Sequence, residues 1–201
     1  MNAHLTIPAD DGQTIAYRAR SGNPSQPGVV WLGGFASDMT GSKATAIDTW
    51  AEQSGHACVR FDYFGHGASS GDFVDGTIGR WRDDALAVID RLTDGPQVLV
   101  GSSMGGWIAL LAALARPDRA AGLMLIAPAP DFTEDLMWDA FTPEMRAELT
   151  ASGIIEQPSD YDDGPYRISL KLIEDGRRHL LLRGPIAVSC PVRIIYGMQD
   201  L

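Results

Sequence analysis

The sequence predicts an α/β protein built on a mostly parallel sheet with helices on both faces. Two observations carry this. Five dense apolar runs recur along the chain: VVWLGG (29–34), ACVRFDY (57–63), QVLVGS (97–102), GLMLIAPA (122–129) and VRIIYG (192–197). Segments of helical character separate them. Strands without a polar face must be covered on both sides, and alternation with helices makes their connections crossovers, which join parallel neighbours. The length of 201 residues suffices for one domain with a real core.

In chain order, LTIPADDGQTIAYRAR reads as two short strands around a turn at Asp11-Gly12. The first apolar strand follows, then a helix over 42–53. The second strand precedes a helix whose apolar face is Trp81, Ala85, Val88, Ile89 and Leu92, at helical spacing. The third strand runs into a helix from Met104 to Arg116, stopped by Pro117. The fourth and fifth strands bracket a stretch that breaks the rhythm. That stretch holds Phe132, Leu136, Met137, Trp138 and Phe141, a polar loop with Asp160, Asp162 and Asp163, and a helical segment near Ile168–Ile173. The expected organisation is a core of residues 1–130 and 186–201, with 131–185 as a small cap or lid over the sheet; a further layer of ordinary core is the other reading of that stretch.

Composition narrows the function. The chain is 45% hydrophobic and 21% charged, as soluble globular proteins are. A net charge of -10 repels phosphate backbones, so no nucleic-acid partner is expected. Cys58 and Cys190 each lie beside strand-like residues and read as two buried thiols in a reducing compartment. No CxxC or Cys/His cluster suggests a metal. The N-terminus MNAHLTIPADDGQTIAYRAR has no apolar signal core and carries acids early, and the apolar run Trp107–Ala115 is too short for a membrane span. A cytoplasmic protein is expected.

Active groups of such sheets lie at the C-terminal ends of the strands. The third strand ends in Gly101-Ser102-Ser103-Met104-Gly105-Gly106, a G-x-S-x-G centred on Ser103. A serine on a sharp strand-to-helix turn needs small neighbours two positions either side, and Gly101 and Gly105 supply them. The turn lifts the hydroxyl above the sheet, at a helix N-terminus that favours developing negative charge. The first strand ends in Gly33-Gly34-Phe35, where acyl transfer needs a second donor. The expected oxyanion hole is the backbone N–H of Phe35 and that of Met104. The second strand ends in Asp62-Tyr63-Phe64-Gly65-His66-Gly67, and His66 reads as a structural loop histidine. Asp131, just past the fourth strand, is an alternative acid position.

Together WLGGFASDMTGSKA (31–44), FDYFGHGASSGDF (61–73), VGSSMGGW (100–107) and YGMQD (196–200) resemble the α/β-hydrolase superfamily. Within it they look most like the branch of small serine hydrolases that contains palmitoyl-protein thioesterase and acyl-glucuronide esterase, with its bacterial relatives. The resemblance covers essentially the whole chain; Gly33 departs from it, where many relatives carry histidine. It implies that Ser103 is the nucleophile and Asp200 the acid, with no cofactor and with a small-molecule or protein-linked acyl ester or thioester as substrate. Nucleophile, acid and histidine come in that order, and no histidine follows Asp200. His4 reads as strand, His56 as turn and His179 as surface. The expectation is therefore a chain truncated before its last strand and helix, with roughly 40 to 60 residues to come at ordinary element lengths. Without that histidine, the alternative is an inactive fragment or binding scaffold of the same fold.

Overall fold

A computed structural model describes residues 4–9, 11–158 and 164–197. Among the described residues the main sheet has seven strands: β1 (Leu5–Pro8), β2 (Thr14–Arg20), β3 (Gly28–Leu32), β4 (Cys58–Phe61), β5 (Gln97–Ser102), β6 (Ala120–Ile126) and β9 (Val192–Ile195). Their order across the sheet is β1-β2-β4-β3-β5-β6-β9. β1 and β2 pair antiparallel, β2 joins β4 antiparallel, and every pairing from β4 to β9 is parallel. This is the mostly parallel α/β sheet expected.

Alternation along the strands divides the core. Val30, Leu32, Val59, Phe61, Leu99, Leu123 and Leu125 face α2 (Ile78–Leu92) and α3 (Met104–Ala115). Val29, Trp31, Cys58 and Val100 face α1 (Ser42–Ser54) through Ala44 and Ala51. α3 is buried along nearly its whole length, as its lack of a polar stripe demands. Cys58 is buried and burial pushes its thiol up to about 12, whereas Cys190 is only half-buried.

Four of the five strands end earlier than the apolar runs suggest; β6 stops at Ile126 and β9 at Ile195. β3 stops at Leu32 and β4 at Phe61, because the following residues leave the ladder to build loops at the sheet's C-terminal edge. Asp62 ties those loops together: its carboxylate accepts from Met39 N (2.6 Å) and Ala68 N (2.8 Å). Burial raises its pKa while these two donors lower it.

Between β6 and β9 the chain makes an excursion. A π-helical turn, Thr133–Trp138, leads to α4 (Pro143–Ser152). Then come β7 (Ile154–Gln157) and β8 (Tyr166–Ser169), an antiparallel pair forming a separate two-stranded sheet, and α5 (Leu170–Gly176). The helix expected near 168–173 is therefore corrected: Ile168 lies in β8. YRIS alternates as a strand, and Ser169 caps the helix that follows by accepting from Leu172 N at 3.2 Å.

Candidate active site

Ser103 sits where β5 turns into α3, with φ 54° and ψ -120°, a backbone setting that side-chain-bearing residues rarely adopt. The turn is clamped from β6: Ser103 N donates to the Ile126 carbonyl (3.0 Å), and the Ser103 carbonyl accepts from Ala129 N (3.1 Å) and Gly106 N (2.9 Å). Strain of this kind persists only where such contacts over-determine it.

The flanking glycines are sterically required. A Cβ on Gly105 would run into the Leu32 and Gly33 carbonyls, and one on Gly101 into the Gly105 carbonyl. α3 thus starts in van der Waals contact with the end of β3. The loop after β3 closes over the serine, since a Cβ on Gly34 would lie 3.5 Å from the Ser103 Cβ. That loop is held by Ser37, whose N–H and hydroxyl donate to the Gly34 carbonyl at 3.2 and 2.8 Å.

The expected oxyanion donors lie on these two elements. Phe35 follows Gly34, and Met104 opens α3. Neither N–H is engaged by another group among the described residues, nor does the Ser103 hydroxyl cap its helix. Unengaged amides beside a serine at a helix start are what stabilisation of a tetrahedral oxyanion requires.

Asp200 lies outside the described residues. The strand that leads to it does not: β9 pairs with β6 so that Ile195 stands opposite Ile126, and Ala127 N donates to the Ile195 carbonyl (2.8 Å). The C-terminal end of β9 is thus separated from the end of β5 by β6 alone. Asp131, the alternative acid, is fully buried at φ 61°, and its carboxylate accepts from Leu181 N and Leu182 N, both at 2.8 Å. Its oxygens hold the returning end of the excursion.

The histidines divide as well. His66 is buried among Tyr63, Phe73 and Trp81, and its Nδ1 lies 3.1 Å from the Phe64 carbonyl. A carbonyl only accepts, so Nδ1 carries the proton. Burial pushes the ring down to about 4, which keeps it neutral. His56 stacks on Trp50. His179 is a correction to the expected surface position: its side chain is half-buried, its Nε2 lies 3.5 Å from Asp175, and its carbonyl accepts from Trp107 Nε1 at 3.1 Å. Asp175 on α5 and the Trp107 indole on α3 hold it inward.

Beside the loop after β3 a cleft of about 320 Å³ opens, lined by Ala36, Ser37, His66, Phe73, Tyr166 and Arg167 among others. Sequence reasoning missed Phe73, Phe132 and Tyr166 as neighbours of Phe35. They are far apart in the chain, and no local pattern joins them. Among the described residues no group of three or more His, Cys, Asp or Glu side chains is placed to hold a metal ion, and no helix is long and apolar enough to cross a membrane.

Comparison with known proteins identifies the family and the fold. The family model for serine aminopeptidase S33 (Hydrolase_4) matches residues 24–155. The human mitochondrial palmitoyl-protein thioesterase ABHD10 is 41% identical over 191 residues, covering 94% of this chain and 61% of that protein. The chain therefore spans about three-fifths of the length of such relatives. Among solved structures, mouse alpha/beta hydrolase domain-containing protein 10 superposes with a TM-score of 0.88 at 38% identity, over 99% of this chain and 79% of that one. A protein of Agrobacterium vitis S4 gives a TM-score of 0.90 at 43% identity, over 96% and 77% of the two chains.

Proposed function

Because the chain belongs to the serine aminopeptidase S33 family of α/β-hydrolases, we propose that it is the larger part of a serine hydrolase of acyl esters and thioesters. The observation that carries the reading is the turn at Ser103: a strained, glycine-flanked serine with the Phe35 and Met104 amides, unengaged among the described residues, on the elements beside it. In this reading Ser103 Oγ attacks the acyl carbonyl while a histidine supplied by chain beyond residue 201 takes its proton. Asp200, in the segment that follows β9 in sequence, orients that histidine and stabilises its cation in this reading. The carbonyl oxygen becomes an oxyanion held by the two amides. The protonated histidine gives its proton to the departing thiol or alcohol, leaving an acyl group on Ser103. Water, deprotonated by the same histidine, then attacks the acyl carbonyl; the bond to Ser103 breaks, Oγ takes back a proton and the acid is released.

Residues 131–185 act as a cap in this proposal, and the cleft beside Tyr166 admits substrate. The thioesterase preference rests on the 41% identity to a palmitoyl-protein thioesterase. The full-length protein should hydrolyse p-nitrophenyl and thioester derivatives of fatty acids, and Ser103→Ala should abolish both. Turnover that survives Ser103→Ala refutes the proposal. A folded full-length protein that turns over neither substrate favours the scaffold alternative.

A further inference from the structure

The Phe35 ring is the meeting point of four others. Phe73, on the 3-10 turn before α2, and Trp81, on α2, approach it with ring centroids at 4.8 and 5.9 Å, and Phe132 and Tyr166 approach from the excursion at 5.7 and 5.5 Å. All four pairs are edge-to-face, with interplanar angles from 69° to 81°. Such contacts orient a ring as well as bury it. The backbone at this point has little else to define it. Phe35 lies past the end of β3, and Ala36 beyond it has a positive φ of 55°, a setting that needs external support. Below the ring, the loop is held by the Ser37–Gly34 turn and by Met39 on Asp62. Above it, the support is aromatic.

The four supports are not equivalent. Trp81 belongs to the core, and Phe132 is buried and also packs on Trp107, whereas Phe73 is half-buried on a 3-10 turn of the main domain and lines the cleft. Tyr166 is half-buried, stands on a two-stranded sheet separate from the main one, and also lines the cleft. It is the one support that belongs to the excursion's own sheet.

We propose that Tyr166 is a positioning residue for chemistry at Ser103: its ring seats the Phe35 ring and so fixes the Phe35 N–H where the oxyanion forms. This rests on the reading of Phe35 as an oxyanion donor. Removing a donor outright costs about 10²–10³ in kcat. Loosening one costs less, and an effect of about tenfold is expected on the same scale.

The test is steady-state hydrolysis of p-nitrophenyl butyrate by the full-length protein and its Tyr166→Ala, Tyr166→Phe and Ser103→Ala variants. Tyr166→Ala should lower kcat about tenfold with KM changed less than about twofold, since the donor acts on the transition state. Tyr166→Phe should restore kcat to within about twofold, because the ring makes the contact. The inhibition constant of an alkylboronic acid, whose serine adduct places an oxygen in the oxyanion site, should weaken in Tyr166→Ala by the same factor as kcat. Unchanged kcat in Tyr166→Ala, or a rise in KM alone, overturns the proposal while an inactive Ser103→Ala leaves the hydrolase reading standing. An active Ser103→Ala overturns both. If Tyr166→Ala does not fold, Tyr166→Leu, which fills the space without an aromatic edge, decides by the same criteria.

Discussion

At the turn after β5, backbone meets backbone. Gly101 and Gly105 let α3 start against the Leu32, Gly33 and Gly105 carbonyls, and β6 grips Ser103 through its own main chain. In the excursion after β6, side chains do the joining. Asp131 accepts the Leu181 and Leu182 amides, Arg177 pairs with Glu134 (2.7 Å), and aromatic rings reach across to Phe35. The difference is one of tolerance. A backbone contact admits no substitution, whereas a side-chain contact can be exchanged for another of the same shape. The first region is suited to fixed chemistry and the second to varied substrate.

Four substitutions probe that contrast. The largest effect is expected at Ser103. Ser103→Ala should reduce ester hydrolysis by about 10⁴-fold or more while leaving the melting temperature nearly unchanged. Ser103→Gly should be equally inactive yet more stable by about 1 kcal/mol, because glycine relieves the positive φ. Urea denaturation compares the two.

Gly105→Ala adds one methyl group where the Leu32 and Gly33 carbonyls stand. A destabilisation of about 4 kcal/mol or outright failure to fold is expected, read from the soluble fraction and the melting temperature. In the excursion, Asp131→Ala takes away the buried carboxylate that accepts from the Leu181 and Leu182 amides. That should cost about 3 kcal/mol and about 6–12 °C in Tm. Limited proteolysis should then cut within the excursion before the core.

The last effect concerns pH. Burial holds His66 at about 4 in the folded protein, against 6.5 for an ordinary histidine. The unfolded chain therefore binds the extra proton first as pH falls. The stability this group contributes is complete above about pH 6.5 and is lost on acidification towards pH 4, about 3 kcal/mol in all. Urea midpoints of wild type and His66→Gln at pH 7.5 and 4.5 isolate it, because the buried carboxylates Asp62 and Asp84, whose pKa values are raised, titrate alike in both. The wild type should lose more stability than the variant.

What was legible in the sequence follows the same division. β5 falls on QVLVGS as read, and Ser103 on the turn that G-x-S-x-G demanded, because steric rules act locally and leave their mark in glycines. The ends of β3 and β4 were overextended. Apolar character continues through Gly33-Gly34 and Tyr63, and only the pairing with Asp62 shows that the ladder has stopped. In the excursion, β7 went unread and β8 was taken into a helix, since YRISLKLI satisfies both periodicities over so short a run. The rings around Phe35 come from the 3-10 turn at Phe73, from α2, from the start of the excursion and from β8, so only topology reveals them. The proposal of Asp200 as the acid rests on the motif YGMQD alone, since Asp200 lies outside the described residues.

The central claim is that the Ser103 hydroxyl is the activated nucleophile. The most direct measurement is peptide mapping by mass spectrometry after the full-length protein reacts with a fluorophosphonate. One adduct, on the peptide containing Ser103 and absent from Ser103→Ala, is the predicted result. An adduct on a different residue, or none on a folded protein, would contradict it.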